Sequence, residues 1–159
     1  MAVLLTYRLA PARQAAVRMI CARLKIRARA VEPVEYGETL AALCGLEEKK
    51  NEPFAGETFE EEMLLMAGFA PQTLDAFLRA FRSYRVAPVA LKAVLTETNA
   101  GWDSVRLHEE LCRERDALSR GGKAHREWSS GCFAISTPFR LRAADSASAL
   151  KKWKAARCG

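Results

Sequence analysis

His108 and Cys112 carry the side chains best suited to chemistry, and they are four residues apart in a stretch predicted to be helical. Residues at i and i+4 share one face of an α-helix, so the imidazole and the thiol could approach the same metal ion. A stable zinc site needs three or four ligands, and a third candidate, Cys44, would have to come from another helix. The pair also lacks a recognisable orienting group and oxyanion site for nucleophilic catalysis. We therefore predict no metal ligand, no cofactor and no catalytic residue.

Glutamate clusters offer a second kind of chemistry, paired general acid and base catalysis. They are Glu60–Glu62 and Glu109-Glu110 with Glu114. A carboxyl group with a raised pKa must be buried, and such runs usually form solvated surfaces. The nine glycines also form no phosphate-binding motif. The sequence therefore favours a non-catalytic protein, and nothing in it names a reaction.

The segment Thr96–Asp103 (TETNAGWD) is the favoured binding site. It follows a predicted strand and precedes a predicted helix, where ligands often bind in α/β folds because helix N-termini offer unpaired N–H groups. The predicted ligand-binding residues are Thr96, Thr98, Asn99, Trp102 and Asp103. We expect the first three to hydrogen-bond a small polar or anionic ligand, with Trp102 as a wall. A plain connection in which Asp103 caps the helix is the alternative.

Charge is distributed unevenly along the chain. Residues 1–30 carry seven basic and no acidic side chains, residues 31–70 carry ten glutamates against two lysines, and residues 118–159 carry nine basic against two acidic. We expect the basic N-terminal segment to pair with the acidic segment, within one chain or between the copies of a homodimer.

The basic tail, residues 119–159, offers a second function. Its predicted helix Ala147–Ala156 contains Lys151, Lys152, Trp153 and Lys154, which suit nucleic acid or an acidic surface. A disordered or loosely docked extension is the alternative.

The elements that would position these residues repeat along the chain. Val3–Pro11 (VLLTYRLAP) recurs sixty residues later as Met63–Pro71 (MLLMAGFAP). Apolar spacing predicts strands at Val3–Tyr7, Arg27–Val31, Met63–Met66 and Leu91–Leu95. It predicts helices at Ala12–Lys25, Thr39–Cys44, Thr73–Tyr84 and Asp103–Leu118. Phe133–Thr137 is a further short strand candidate.

This pattern predicts an α/β domain over residues 1–118, made of two βαβα halves (1–46 and 63–118) with a linker at 47–62. We expect a four-stranded sheet with a ferredoxin-like split βαβ arrangement, and an open parallel sheet is the alternative. Aligning Leu43-Cys44 with Leu111-Cys112 places extra length in the Thr96–Asp103 loop of the second half.

The segment LKAVLTETNAGWD (Leu91–Asp103) resembles an uncharacterised bacterial family, domain of unknown function 3783. Tyr36-Gly37-Glu38-Thr39 and Phe59–Phe69 are also similar to that family, so the resemblance covers roughly residues 1–117. Glu97 stands where proline is common in the family, and Asp103 where threonine is common. The resemblance implies a small bacterial α/β domain and carries no known activity, ligand or partner.

The cellular setting follows from composition. Five scattered cysteines without a CxxC motif predict reduced thiols and a cytoplasmic location. The longest apolar run, Met63–Ala70, is too short to cross a bilayer, so we expect no membrane association.

Overall fold

The computed structural model describes residues 1–120 and 132–134, without the side chains of residue 120 and of 132–134. The strands of the first 120 residues are β1 (Val3–Tyr7), β2 (Arg27–Ala30), β3 (Met63–Ala67) and β4 (Leu91–Val94). The helices are α1 (Pro11–Arg23), the short α2 (Leu40–Leu43), α3 (Pro71–Ser83) and α4 (Ser104–Arg120), and a 3-10 turn spans Pro33–Glu35. The α/β class and the order of elements in both halves are as predicted.

The strands form one mixed sheet in the order β2-β1-β3-β4. β1 is parallel to β2 and β3 is parallel to β4, while the two central strands, β1 and β3, are antiparallel with Leu5 opposite Leu65. A short β5 (Cys132–Ala134) pairs with the outer edge of β4 and overlaps the strand predicted at Phe133–Thr137.

The split βαβ arrangement is wrong, and so is the all-parallel alternative. The two strands of each βαβ unit are direct neighbours, and the two units meet antiparallel. All five residues of β1 and of β3 are buried, so these strands take the centre, where both faces are covered. β2, with exposed Arg27 and three half-buried residues, lies at the edge of the sheet, which suits its alternation of basic and apolar residues.

Two cores lie on opposite faces of the sheet. One packs Leu4, Leu64 and Met66 against α1 and α3. The other packs Leu5 and Leu65 against α2, α4 and the aromatic residues of the connections. Alternate strand residues face opposite sides, which gives each central strand one row of side chains in each core. Leu118, near the end of α4, is 62% exposed because the last residues of this helix lie in solvent.

The extra length of the second half is not in the Thr96–Asp103 loop. The β2–α2 connection (31–39) and the β4–α4 connection (95–103) both contain nine residues. The difference lies before β4, where residues 84–90 replace the three-residue connection 24–26 of the first half. Matching the Leu-Cys pairs misplaced the insertion, because these pairs lie at different distances from their helix starts.

Candidate functional site

The loop 95–103 follows β4 and hydrogen-bonds the loop and the start of α2 in the first half. The carbonyl oxygens of Ala100 and Trp102 accept hydrogen bonds from the backbone N–H groups of Ala41 and Leu40, at 3.0 and 2.8 Å. In return, the N–H of Ser104 donates to the carbonyl oxygen of Tyr36 at 3.0 Å. The first turns of α2 and α4 therefore use these N–H groups to join the two halves, which leaves fewer of them for a ligand.

The side chains predicted to bind a ligand largely hold this loop together. Asn99 Oδ1 accepts from the N–H of Thr96 at 2.8 Å, and its Nδ2 donates to the carbonyl oxygen of Val94 at 3.1 Å. Asp103 Oδ1 caps α4 by accepting from the N–H of Arg106 at 2.8 Å. These contacts have the geometry expected of a structured turn and helix cap.

Two of the predicted residues have faces left for a partner. Thr98 is exposed at the tip of the loop, and half-buried Trp102 packs against the second core. The Arg106 guanidinium lies 4.6 Å from the Trp102 ring centroid. The structure brings all five predicted residues into one loop, and ligand binding there stays a prediction.

The basic residues of the first half divide into two groups. Arg8, Arg13 and Arg29 form ion pairs with Glu60, Glu62 and Glu35 of the acidic segment. Arg18, Arg23, Lys25 and Arg27 are exposed and form no ion pair with another described residue. The expected internal neutralisation therefore covers only part of the N-terminal charge.

Arg23 of α1 and Arg79 of α3 both line a groove of about 460 Å³ between these two helices. The apolar side chains of its lining are Ile20, Leu24, Ala76 and Ala80. The polar ones are Arg23, Arg79, Ser83 and Tyr84. Arg23 hydrogen-bonds the Tyr84 hydroxyl, and its guanidinium lies 5.6 Å from the Tyr84 ring centroid. We call this groove, together with the exposed residues Lys25 and Arg85 that follow its two helices, the basic groove.

Each of the two helices that form the basic groove is followed, two residues after its last residue, by a basic residue with positive φ. Lys25 has φ 55° and Arg85 has φ 51°, and each follows its helix at the same position. The following amides, of Ile26 and Val86, donate back to Cys21 and Phe81. Glycine is the favoured residue at this helix-ending position, since a side chain costs about 1–2 kcal/mol in the left-handed region. Lys25 and Arg85 occupy these positions despite that cost.

A third cluster gathers around Glu61, just before β3. Glu61 Oε2 lies 2.8 Å from His108 Nε2 and accepts from Cys112 Sγ at 3.3 Å, while Arg115 donates to Oε1 at 2.8 Å. The hydrogen bond from Arg115 is the main cause that lowers the pKa of Glu61 to about 2. Burial, followed by the Glu61 carboxylate, raises the pKa of the Cys112 thiol to about 11.

The third member of this cluster was missed from the sequence. His108 and Cys112 do share a face of α4, but the side chain that joins them is Glu61, not Cys44. The run Glu60–Glu62 was interpreted as a solvated surface, yet its members contact three different cations. Their partners are Arg8, Arg115 and Arg13. No local pattern links a glutamate to residues about fifty positions later.

The comparison with protein families matches the second half of the chain. Residues 62–118 match the model described as Domain of unknown function (DUF3783). The resemblance is thus confirmed for these residues, and the match does not extend to the first half. The matched residues contain β3, α3, β4 and nearly all of α4. They include the Asn99 turn, His108 and Cys112.

No curated protein matches the chain, and no solved structure matches it. Within residues 1–120 and 132–134, no helix is long and apolar enough to cross a membrane. Lys151, Lys152, Trp153 and Lys154, proposed for nucleic acid, lie outside the described residues.

Proposed function

We propose that this protein is a non-catalytic module that binds single-stranded nucleic acid in the basic groove between α1 and α3. The observation that carries the proposal is a groove with an apolar floor and cations on both walls. A single strand presents flat bases and a charged backbone together, so the floor and Tyr84 suit the bases while the arginines suit the phosphates. An acidic peptide would use the cations but has no flat apolar group at each repeat.

Two further features support this choice. Neither α1 nor the connection after it contains an acidic residue, and Asp75 is the single acidic residue of α3. The positive φ of Lys25 and Arg85 also places strained backbone beside this surface, where strain often accompanies function.

The test is the affinity of the full chain for a labelled oligothymidine, measured by fluorescence anisotropy at several salt concentrations. We expect the double variant Arg23→Ala/Arg79→Ala to bind more weakly. Its salt slope should be smaller by about 1.4, because each phosphate contact contributes about 0.7 on a single strand. Arg113→Ala, an exposed arginine of α4 on the other side of the sheet, is the matched control.

Unchanged affinity and slope in the double variant would contradict the proposal. The tail is tested in the same assay with Lys151→Ala/Lys152→Ala/Lys154→Ala in the full chain. Binding lost only in that variant would move the nucleic-acid site to the tail. Polyglutamate that competes as well as the oligonucleotide at equal charge would instead indicate an acidic protein partner.

A second candidate function is small-ligand or regulatory protein binding at the loop 96–103. It is favoured by exposed Thr98 and by the cationic Arg106 above the Trp102 ring. Because Asn99 and Asp103 support the loop itself, the informative substitutions are Thr98→Ala and Arg106→Ala. An anionic ligand should raise the melting temperature of the wild type and not of Arg106→Ala, and equal shifts would argue against this site.

We also propose that the two halves descend from one duplicated βαβα unit. Leu5 and Leu65, sixty residues apart, face each other at the centre of the sheet, as an approximate twofold relation requires. Arg8 and Gly68, at the same distance, both have positive φ after β1 and β3. The free thiols of Cys21, Cys44 and Cys112 suit a reducing compartment such as the bacterial cytoplasm.

A further inference from the structure

The cluster around Glu61 presents three different donor atoms to one point. Glu61 offers a carboxylate oxygen, His108 an imidazole nitrogen and Cys112 a sulfur, and these atoms all lie within 4.8 Å of one another. Oxygen, nitrogen and sulfur donors together suit zinc, which is borderline-soft and accepts all three. The proposed nucleic-acid binding does not involve these residues, which lie on the face of the sheet opposite the basic groove.

The distances between the donor atoms fit a zinc coordination sphere. With bonds of about 2.3 Å to sulfur and about 2.0–2.2 Å to nitrogen and oxygen, tetrahedral ligand atoms lie about 3.4–3.6 Å apart. Cys112 Sγ is 3.6 Å from His108 Nε2 and 3.3 Å from Glu61 Oε2. His108 Nε2 is 2.8 Å from Glu61 Oε2, so this edge would open by about 0.6 Å.

The surroundings fix two ligands and leave the third able to adjust. The His108 ring stacks on Phe59 with ring centroids 4.2 Å apart and an interplanar angle of 2°, and its side chain is 15% exposed. Cys112 is on the same rigid helix, one turn further on. Glu61 lies in the connection before β3 and its side chain is 46% exposed, so it can make the small movement that the coordination requires.

We propose that Glu61, His108 and Cys112 form a zinc-binding site with three protein ligands. Arg115 binds Oε1 of Glu61, which leaves Oε2 for the metal and keeps the carboxylate oriented. Three protein ligands leave one coordination position to water or to a group from a partner.

The experiment uses the untagged, metal-stripped full chain and titrates it with Co²⁺, then displaces the cobalt with Zn²⁺. We expect one equivalent to bind with a sulfur-to-cobalt charge-transfer band, which reports thiolate ligation. The band should be absent from Cys112→Ser. Losing the hydrogen-bond partner of a ligand lowers metal affinity by roughly 10–100-fold. Because His108→Ala and Glu61→Gln remove a ligand itself, they should lower zinc affinity by more than that.

Controls separate the site from the other cysteines and from misfolding. Cys21→Ala removes a buried thiol of α1, and Glu109→Gln an exposed carboxylate of α4, and both should bind like the wild type. Glu61→Gln changes an exposed side chain, so its metal-free melting temperature should stay near that of the wild type. Arg115→Ala removes the hydrogen-bond partner of Glu61 but keeps all three ligands, so it should weaken zinc binding by less than the ligand substitutions do.

Two results would overturn the zinc site. One is a wild-type chain that gives no charge-transfer band with cobalt. The other is a band of full strength in Cys112→Ser, which would assign the metal to a different cysteine. Neither result bears on the oligothymidine assay, so the two proposals stand or fall separately.

Discussion

Asn99 connects three parts of its loop through a single side chain. Its amide contacts the N–H of Thr96 and the carbonyl oxygen of Val94, and the loop in turn joins α2 through Ala100 and Trp102. Asn99 and Trp102, which belong to the Leu91–Asp103 segment of the resemblance, therefore have a structural role in this loop. These residues connect the two halves of the domain. A ligand would have to bind the side chains of the loop that stay exposed, such as Thr98.

We predict that Asn99→Ala lowers the free energy of unfolding by about 1–3 kcal/mol, because it leaves a donor and an acceptor of the loop without their partner. Urea denaturation followed by circular dichroism measures this difference. Thr98→Ala, at the exposed neighbouring position, should stay within about 0.5 kcal/mol of the wild type. Equal effects of the two substitutions would show that the Asn99 contacts are not formed.

Glu61 makes stability depend on pH. Its pKa is lowered to about 2, mainly by the hydrogen bond from Arg115, against a usual value of 4.5. The unfolded chain therefore binds the proton more readily, so this contribution is present above pH 4.5 and is lost as pH falls to about 2. We predict that Glu61→Gln removes part of the acid-induced loss of stability. Because Glu61 is nearly half exposed, solvent screening keeps the effect small.

Urea denaturation at a series of pH values between 2 and 6, in the presence of a chelator, checks this sign. The wild type should lose more stability across this range than Glu61→Gln, and Glu109→Gln should follow the wild type. A wild type and Glu61→Gln that lose stability in parallel would contradict the ion pair with Arg115.

At the scale of elements, α1 and α3 are equivalent helices with the same beginning and the same end. Each has 13 residues and begins with a proline that follows an alanine. Each is followed, two residues after its end, by a residue with positive φ. The proline suits the first turn because its missing N–H would be unpaired there. Sequence reasoning found both helices from this signal and from the apolar spacing of residues such as Val17, Ile20 and Phe77.

We predict that Lys25→Gly and Arg85→Gly each stabilise the fold by about 0.5–1 kcal/mol. Glycine relieves the left-handed strain of about 1–2 kcal/mol, and the greater freedom of the unfolded chain offsets part of that gain. The same variants should bind oligothymidine more weakly. Stability and binding would then change in opposite directions, as expected where a residue is kept for function.

Urea denaturation and fluorescence anisotropy on the same samples give both quantities. Lys25→Ala provides the matched control, because it removes the charge without relieving the backbone. It should weaken binding as Lys25→Gly does and bring no gain in stability. Stabilised glycine variants that bind as tightly as the wild type would exclude these cations from the nucleic-acid site.

Strand direction and loop length were the parts of the fold that the sequence did not determine. The apolar runs Val3–Tyr7 and Met63–Met66 predict two strands, but the same residues would suit parallel or antiparallel neighbours. The pairing of β1 with β3 depends on how the 47–62 connection crosses the molecule, which no local pattern encodes. The insertion can be located only when the first residues of α2 and α4, Leu40 and Ser104, are known.

At the scale of the whole molecule, the two faces of the sheet differ in chemistry. The α1/α3 face carries the basic groove, while the opposite face carries the joined loops and the Glu61 cluster. The acidic connection reaches both, because Glu60 and Glu62 neutralise Arg8 and Arg13 while Glu61 contacts α4. Residues 1–117 carry 16 basic and 17 acidic side chains, so the overall charge of +6 comes from residues 118–159 and the basic character of the α1/α3 face is local.

The central claim is that this face is where the protein meets its anionic partner. The most direct measurement is a two-dimensional ¹⁵N–¹H NMR titration of the full chain with oligothymidine. We predict that the largest shift changes fall at residues 20–25 and 76–85, which include the lining of the basic groove. Changes confined to residues 119–159 or to the loop 96–103, with α1 and α3 unaffected, would contradict the account.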